Sequence, residues 1–160
     1  MAIGVGILII SDGVYRSKRL DSSGNIIAAF VSEIDAVKID RSVVPDEIEL
    51  IVEKLNSWIN TDNVDLILTT GGTGIGPRDV TPEAVKSVIE YEIPGISETF
   101  RSSGRLNTQY AILSRSIVGV SSKTLIVTLP GSPNGVKDSL AVLEPILVHT
   151  INLIQGKTDH

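Results

Sequence analysis

The sequence predicts an α/β domain of three layers, with helices on both faces of a mainly parallel β-sheet. Short apolar runs typical of buried strands alternate along the chain with apolar residues at helical spacing. This alternation favours parallel strands joined by right-handed helical crossovers. The length of 160 residues fits one domain. We expect residues 1–156 to form that domain and residues 157–160 to be a frayed tail.

Four apolar runs are predicted to be the parallel strands of the sheet. They cover residues 5–10, 37–44, 64–68 and 125–129. Parallel strands end at the same edge of a sheet, and ligands of such sheets bind beyond that edge. We therefore expect the loops that follow the four runs to build one site together.

Four main helices are predicted from the spacing of apolar residues, and each begins at residues suited to a helix N-terminus. The predicted N-termini are Ser22 or Ser23, "VPDE" at residues 44–47, Thr81 with Pro82, and Ser132 with Pro133. Serine and threonine hydroxyls accept hydrogen bonds from the first N–H groups, and proline fits the first helical position. The last helix is expected to reach residue 154. Residues 96–102 are predicted to form a short helix, and residues 111–120 an irregular segment.

Composition and charge exclude several classes of protein. The net charge of -5 and the lack of a basic cluster argue against nucleic acid as a partner. Without cysteine, the chain has no disulfide, thiol nucleophile or zinc–thiolate site. His149 lies in an apolar helical pattern and His160 is the last residue, which argues against a histidine metal cluster or a Ser–His–Asp triad. The first apolar run is too short to span a bilayer and lacks a basic leader, so we expect a cytoplasmic protein without a membrane segment.

A glycine-rich loop, "TTGGTGIGPRDVTPEA" at residues 69–84, follows the third predicted strand. It is not a P-loop, because Ile75 and Gly76 stand where lysine and a hydroxyl residue are needed. Its spacing also differs from a dinucleotide-binding fingerprint. The glycines either allow the backbone to approach a ligand closely or only permit tight turns, and both interpretations remain open. The candidate ligand-binding residues of the loop are Gly71, Gly72, Thr73 and Gly74.

Two aspartates, Asp46 and Asp79, follow neighbouring predicted strands. Each has a structural interpretation: Asp79 could complement a helix dipole, and Asp46 could be an ordinary carboxylate at a helix start. Together at one sheet edge they are better suited to magnesium, which joins carboxylates to phosphate oxygens. The pair therefore indicates metal-assisted phosphoryl or nucleotidyl transfer. Arg78, beside Asp79, could neutralise a phosphate directly.

Two further segments are candidates for binding anionic groups. In "LPGSPN", backbone N–H groups near Gly131 and Ser132 could hold such a group, although a well-capped helix explains the same residues. In "SRS" at residues 114–116, the hydroxyls and the arginine suit a phosphate, but such tripeptides are often only solvated.

These motifs together resemble the molybdenum-cofactor biosynthesis proteins of the MogA/MoaB type and the G domain of gephyrin. The resemblance rests on "TTGGTG", "PRDVTPEA", "VPDE" and "LPGSPN", together with "ISDG", "DSSG" and "AILSRS", and it covers nearly the whole chain. It implies a molybdopterin-binding (MoCF-type) domain and a molybdopterin adenylyltransferase. Such enzymes transfer AMP from ATP to the molybdopterin phosphate with Mg²⁺ and release pyrophosphate. It also implies a homotrimer or hexamer and hand-over of the product to the molybdate-inserting enzyme.

The resemblance carries over to individual positions of this chain. It implies catalytic and metal-binding roles for Asp46 and Asp79. Molybdopterin and ATP would be bound by the glycine loop, by the "PGSP" turn and by the "SRS" segment. The residues so implied are Gly71, Gly72, Thr73, Gly74, Ser114, Ser116, Gly131, Ser132 and Pro133. Two alternatives remain: a non-catalytic MoaB-type molybdopterin carrier or scaffold, and a different nucleotide-binding enzyme of the same fold.

Overall fold

A six-stranded sheet between two layers of helices forms the core of the computed structural model, which describes residues 2–157. The strands are β1 (Gly4–Ile10), β2 (Val37–Val44), β3 (Leu66–Thr70), β4 (Tyr91–Glu92), β5 (Val118–Ser121) and β6 (Thr124–Leu129). Their order is β2-β1-β3-β6-β5-β4, and β1, β2, β3 and β6 are parallel. The predicted α/β fold is confirmed. Most of the predicted tail, residues 158–160, lies outside the described residues.

Six α-helices connect or flank these strands within the described residues. They are α1 (Asp12–Tyr15), α2 (Ser22–Glu33), α3 (Ile48–Ile59), α4 (Thr81–Val88), α5 (Pro94–Gly104) and α6 (Pro133–Ile154). A 3-10 helix covers Gln109–Leu113. The predicted start of α6 is confirmed, because the Ser132 hydroxyl accepts a 3.2 Å hydrogen bond from the Gly135 N–H.

Two predicted helix caps were wrong. Asp21 caps α2 in place of Ser22 or Ser23, since its carboxylate accepts a hydrogen bond from the Gly24 N–H at 2.9 Å. Val80 occupies the N-cap position of α4. The Thr81 hydroxyl donates to the Gly71 carbonyl at 2.9 Å, so it ties the helix to the glycine loop.

Four short elements were not predicted, namely α1, β4, β5 and the 3-10 helix. Helix α1 lies between the first predicted strand and the first predicted helix, and Ser11 caps it by accepting from the Val14 N–H at 3.2 Å. The segment expected to be irregular ends in β5, which pairs antiparallel with β6, and β4 pairs with β5 in turn. Strand β5 has four residues and forms a tight hairpin with β6, in which Ser121 pairs with Thr124. Strand β4 has only two residues and pairs with β5 across more than twenty residues of sequence, so no local pattern predicts it.

The two helical layers bury opposite faces of the sheet. In β1, Ile7 and Ile9 face the layer of α2, α5 and α6, while Leu8 and Ile10 face the layer of α3 and α4. This period of two within a continuous apolar run is typical of a strand covered on both sides. Four parallel strands are thereby held with their carboxyl ends at one edge, which is where the candidate site forms.

Removing a large side chain from this core should destabilise the fold. Leu68 in β3 is fully buried, so Leu68→Ala should lower the free energy of unfolding by about 2–5 kcal/mol in urea titrations. Leu50→Ala on α3 is the matched control, because Leu50 is 37% exposed and should change stability by less than about 1 kcal/mol. Equal losses in both variants would contradict this assignment of the core.

Candidate functional site

Two adjoining cavities open at the carboxyl edge of the parallel strands. The polar cavity, of about 790 Å³, is lined by residues that follow β1, β2, β3 and β6, among them Asp12, Asp46 and Asp79. The apolar cavity, of about 840 Å³, lies beside it and includes Phe100 and Tyr110. A common wall separates them and belongs to both. It consists of Thr73, Gly74, Gly131, Ser132 and Pro133.

The eleven catalytic and binding residues implied by the resemblance all line one or both of these cavities, whereas the phosphate candidates Arg78 and Arg115 line neither. Asp46, Asp79, Gly71 and Gly72 line the polar cavity, and Ser114 and Ser116 line the apolar cavity. The remaining five form the common wall. The structure thus brings together residues from the loops after β2, β3 and β6 and from the segment before β5. The expectation that Asp46 and Asp79 follow neighbouring strands was wrong, because β1 lies between β2 and β3. Their roles in binding and catalysis stay predictions.

The glycine loop needs its first two glycines for conformation and for space. Gly71 and Gly72 have φ angles of 99° and 68°, in the left-handed region. A Cβ atom on Gly71 would lie 2.2 Å from the Ile10 carbonyl oxygen, and one on Gly72 would lie 2.2 Å from the Thr81 hydroxyl. The tight-turn interpretation is therefore correct for these two positions. Their lack of side chains also leaves the loop backbone facing the polar cavity.

Asp12 is a site residue that the sequence reasoning missed. Its backbone N–H donates to the Asp46 carboxylate at 2.9 Å, and the Asp46 N–H donates to the Asp12 carboxylate at 3.0 Å. The Arg78 guanidinium donates two 3.0 Å hydrogen bonds to the Asp12 carboxylate. These two hydrogen bonds from Arg78 lower the pKa of Asp12. The available signal was the position of "ISDG" at the end of the first strand, equivalent to that of Asp46 after the second.

Asp46 is held in an unfavourable environment for a carboxylate. Burial raises the pKa of Asp46, and the negative charges of Asp12 and Asp79 raise it further. Asp79 therefore lies close enough to Asp46 for the two charges to repel each other. The Asp79 carboxylate accepts a 2.8 Å hydrogen bond from the Gly76 N–H, so it is fixed within its own loop. A cation between Asp46 and Asp79 would relieve this repulsion.

Arg115 contacts the glycine loop, which corrects the expectation that this arginine serves a phosphate. Its guanidinium donates to the carbonyls of Gly74 and Asp79, at 2.8 Å each, and to the Glu83 carboxylate. Its backbone N–H donates to the Thr73 carbonyl at 2.7 Å. The hydrogen bond from the Arg115 guanidinium lowers the pKa of Glu83. The arginine thus holds both ends of the loop that carries Asp79.

The two serines beside Arg115 differ in their surroundings. Ser116 is buried, and its hydroxyl donates to the Thr128 carbonyl. Ser114 is half-buried, and its hydroxyl oxygen accepts from the Ser116 N–H at 3.3 Å. Only Ser114 therefore presents a hydroxyl with a proton left to donate into the apolar cavity.

Comparison with known proteins identifies the class of this domain. Residues 6–149 match the family described as "Probable molybdopterin binding domain". The chain therefore belongs to this family, as the motifs had indicated.

Individual relatives cover the chain almost completely. It is 35% identical to a molybdopterin adenylyltransferase of Helicobacter pylori over 96% of this chain and 89% of that protein. It is 40% identical to the molybdenum cofactor synthesis protein cinnamon of Drosophila melanogaster, again over 96% of this chain but only 26% of that protein. The chain thus spans about a quarter of the latter's length. The crystal structure of the molybdopterin biosynthesis enzyme MoaB from Thermus thermophilus superimposes with a TM-score of 0.91 at 41% identity, covering 97% of this chain and 98% of that one.

Substitution of Gly71 should disturb the loop. Gly71→Ala places a Cβ against the Ile10 carbonyl in a left-handed conformation, so we expect a loss of more than about 1 kcal/mol in unfolding free energy. Gly95→Ala, in the first turn of α5 with no atom within 4 Å of the added Cβ, should be neutral or slightly stabilising. Both variants are compared by chemical denaturation, and a Gly71→Ala protein as stable as the control would refute the close approach.

The Asp12–Arg78 pair should contribute to acid stability. Because folding lowers the Asp12 pKa, its contribution is complete above the unfolded value of 3.8 and is lost as pH falls through the folded pKa. Asp12→Asn should therefore weaken the pH dependence of stability below about pH 4. Thermal unfolding between pH 2 and 7 measures this, with exposed Asp62→Asn as the control. Identical pH profiles for both variants would contradict the pairing.

Proposed function

We propose that this protein is a molybdopterin adenylyltransferase of molybdenum cofactor biosynthesis, which transfers AMP from ATP to the terminal phosphate of molybdopterin. The observation that carries the proposal is the convergence of Asp46 and Asp79 on a polar cavity walled by the glycine loop and the "PGSP" turn. The Helicobacter pylori relative with that name supports it, because it matches this chain over most of both lengths.

Asp46 and Asp79 fit a magnesium ion. Both are hard oxygen donors lining one cavity, and their mutual repulsion helps to raise the pKa of Asp46. Magnesium commonly uses one or two protein carboxylates and completes its shell with water and phosphate oxygens. Within residues 2–157, no group of three or more His, Cys, Asp or Glu residues is arranged to hold a metal ion. A site with two carboxylates is therefore consistent with the preference of magnesium. Bound there, magnesium supplies positive charge that neutralises the nucleotide phosphates.

The transfer itself requires positioning more than proton chemistry. An oxygen of the molybdopterin phosphate bonds to the α-phosphorus of ATP, the bond from that phosphorus to the β-phosphate oxygen breaks, and pyrophosphate leaves with the electron pair. The phosphate nucleophile is ionised at neutral pH, so no general base is needed. Backbone N–H groups near Gly131 and Ser132, which line the polar cavity at the start of α6, would stabilise phosphate charge.

The two cavities provide separate space for the two substrates. We assign the pterin to the apolar cavity, where Tyr110 offers aromatic surface and Ser114 offers a hydroxyl. The nucleotide phosphates are assigned to the polar cavity with Asp46 and Asp79. The common wall then lies where the pterin phosphate and the α-phosphate meet. This arrangement gives the glycine loop and the "PGSP" turn contact with both substrates.

Assembly and cellular setting extend the proposal. We propose a homotrimer or hexamer of single-domain chains, residues 1–156, in the cytoplasm, with hand-over of the adenylylated pterin to the molybdate-inserting enzyme. Exposed apolar side chains support a contact between subunits, since Leu106 and Ile112 are 87% and 59% exposed in one segment. Within the described residues, no helix has the length and apolar character needed to cross a bilayer.

Asp79→Asn should abolish AMP transfer while molybdopterin binding largely survives. Asparagine keeps an oxygen that can accept the Gly76 hydrogen bond, so the loop is retained while the charge for magnesium is lost. Purified protein is incubated with molybdopterin, ATP and Mg²⁺, and pterin-dependent pyrophosphate release is measured. We expect a fall of about 100-fold or more, whereas Asp62→Asn should retain the wild-type rate.

Three outcomes would overturn parts of this proposal. Turnover of Asp79→Asn at the wild-type rate would exclude the metal role of Asp79. Tight molybdopterin binding without any pyrophosphate release by the wild-type protein would favour the non-catalytic carrier. A wild-type protein without molybdopterin affinity would favour a different nucleotide-binding enzyme.

A further inference from the structure

The charges that line the polar cavity are unevenly neutralised. Four carboxylates line it, those of Asp12, Asp21, Asp46 and Asp79. Asp12 is paired with Arg78 at 3.0 Å, and Asp21 with Arg41 at 2.6 Å. Asp46 and Asp79 form no ion pair within the described residues. The unneutralised negative charge is therefore confined to the pair assigned to magnesium.

Arg19 is the one basic residue among those that line this cavity within the described chain. It belongs to none of the ion pairs formed by residues 2–157. Arg78 and Arg115, the other arginines near the glycine loop, are bound to Asp12 and to the loop itself. Among the described residues that line the polar cavity, Arg19 is thus the one cationic side chain that no carboxylate neutralises, and it is available to a polyanionic ligand.

The backbone around Arg19 is fixed against helix α1. The Lys18 N–H donates to the Gly13 carbonyl at 2.8 Å, and the Ser17 N–H donates to the Val14 carbonyl at 3.0 Å. A Cβ atom on Gly13 would lie 3.5 Å from both the Cβ and the Nε of Arg19. The arginine side chain therefore runs across Gly13, next to Asp12 in the cavity wall.

We propose that Arg19 binds the pyrophosphate portion of the nucleoside triphosphate, that is, its β- and γ-phosphates. This inference rests on the proposed adenylyl transfer. When the bond from the α-phosphorus to the β-phosphate oxygen breaks, the electron pair and the negative charge pass to pyrophosphate. The Arg19 guanidinium, which is always protonated, stabilises that charge through hydrogen bonds to phosphate oxygens.

The position of Arg19 favours the leaving pyrophosphate over the pterin phosphate. In an in-line displacement, the attacking and leaving oxygens lie on opposite sides of the α-phosphorus. The pterin phosphate approaches from the common wall, to which Arg19 does not belong. Arg19 lines only the polar cavity. It therefore lies away from the common wall, on the side where the pyrophosphate must leave.

Pyrophosphate itself is the probe for this site. Calorimetric titration of Mg²⁺-pyrophosphate into wild-type protein should give saturable binding, and Arg19→Ala should weaken it by about tenfold. Arg19→Lys should restore part of the affinity, because it returns the charge without the fork geometry. Lys18→Ala is the matched control: it removes the same charge from the neighbouring position, which is not part of the cavity lining. It should change the affinity by less than about twofold.

Steady-state kinetics separate this inference from the proposed function. Arg19→Ala should raise the KM for ATP and weaken product inhibition by pyrophosphate, while the KM for molybdopterin stays unchanged. Equal effects of Arg19→Ala and Lys18→Ala, a change confined to molybdopterin, or no pyrophosphate binding by the wild-type protein would each overturn the role of Arg19. Absence of AMP transfer in a wild-type protein that still binds pyrophosphate through Arg19 would instead reject the adenylyltransferase proposal.

Discussion

The close approach of the glycine loop to the end of β1 is the contact on which the rest of the site depends. Gly71 lies so near the Ile10 carbonyl that no side chain fits between them, and the Gly71 N–H bonds the Leu129 carbonyl at 3.2 Å. The loop is therefore anchored to β1 and β6 at once. Because β1 is also flanked by β2, the residues that follow all four parallel strands are brought within reach of one ligand.

Electrostatics then determine what the site can hold. Carboxylates repel phosphate, and a cavity with four of them would not suit a nucleotide if all were free. Arginines neutralise Asp12 and Asp21 from outside the cavity lining, which leaves a localised acidic pair at Asp46 and Asp79. A magnesium–phosphate ligand matches this distribution better than either a bare cation or a bare anion does.

The sequence predicted best those features that depend on residues close together along the chain. The strand over residues 37–44 and the helix that begins at Pro133 have strong local patterns, and both were predicted with their observed bounds. Strand β4 has two residues and depends on a partner distant in sequence, and β5 is a four-residue hairpin strand too short for a clear alternating pattern, so neither was predicted. Among site residues, Asp46 and Asp79 stood out because each follows a strand beside glycine or proline. Asp12 was missed because its contacts with Asp46 and Arg78 span 34 and 66 residues of sequence.

Arg115 makes the two cavities energetically dependent on each other. Its neighbours Ser114 and Ser116 line the apolar cavity, while its guanidinium holds the carbonyl of Asp79 in the polar one. A ligand that shifts the "SRS" segment must therefore also shift the glycine loop or strain these hydrogen bonds. Thermodynamic linkage makes such an effect reciprocal. Under the proposed function, filling of one cavity is therefore expected to change the affinity of the other.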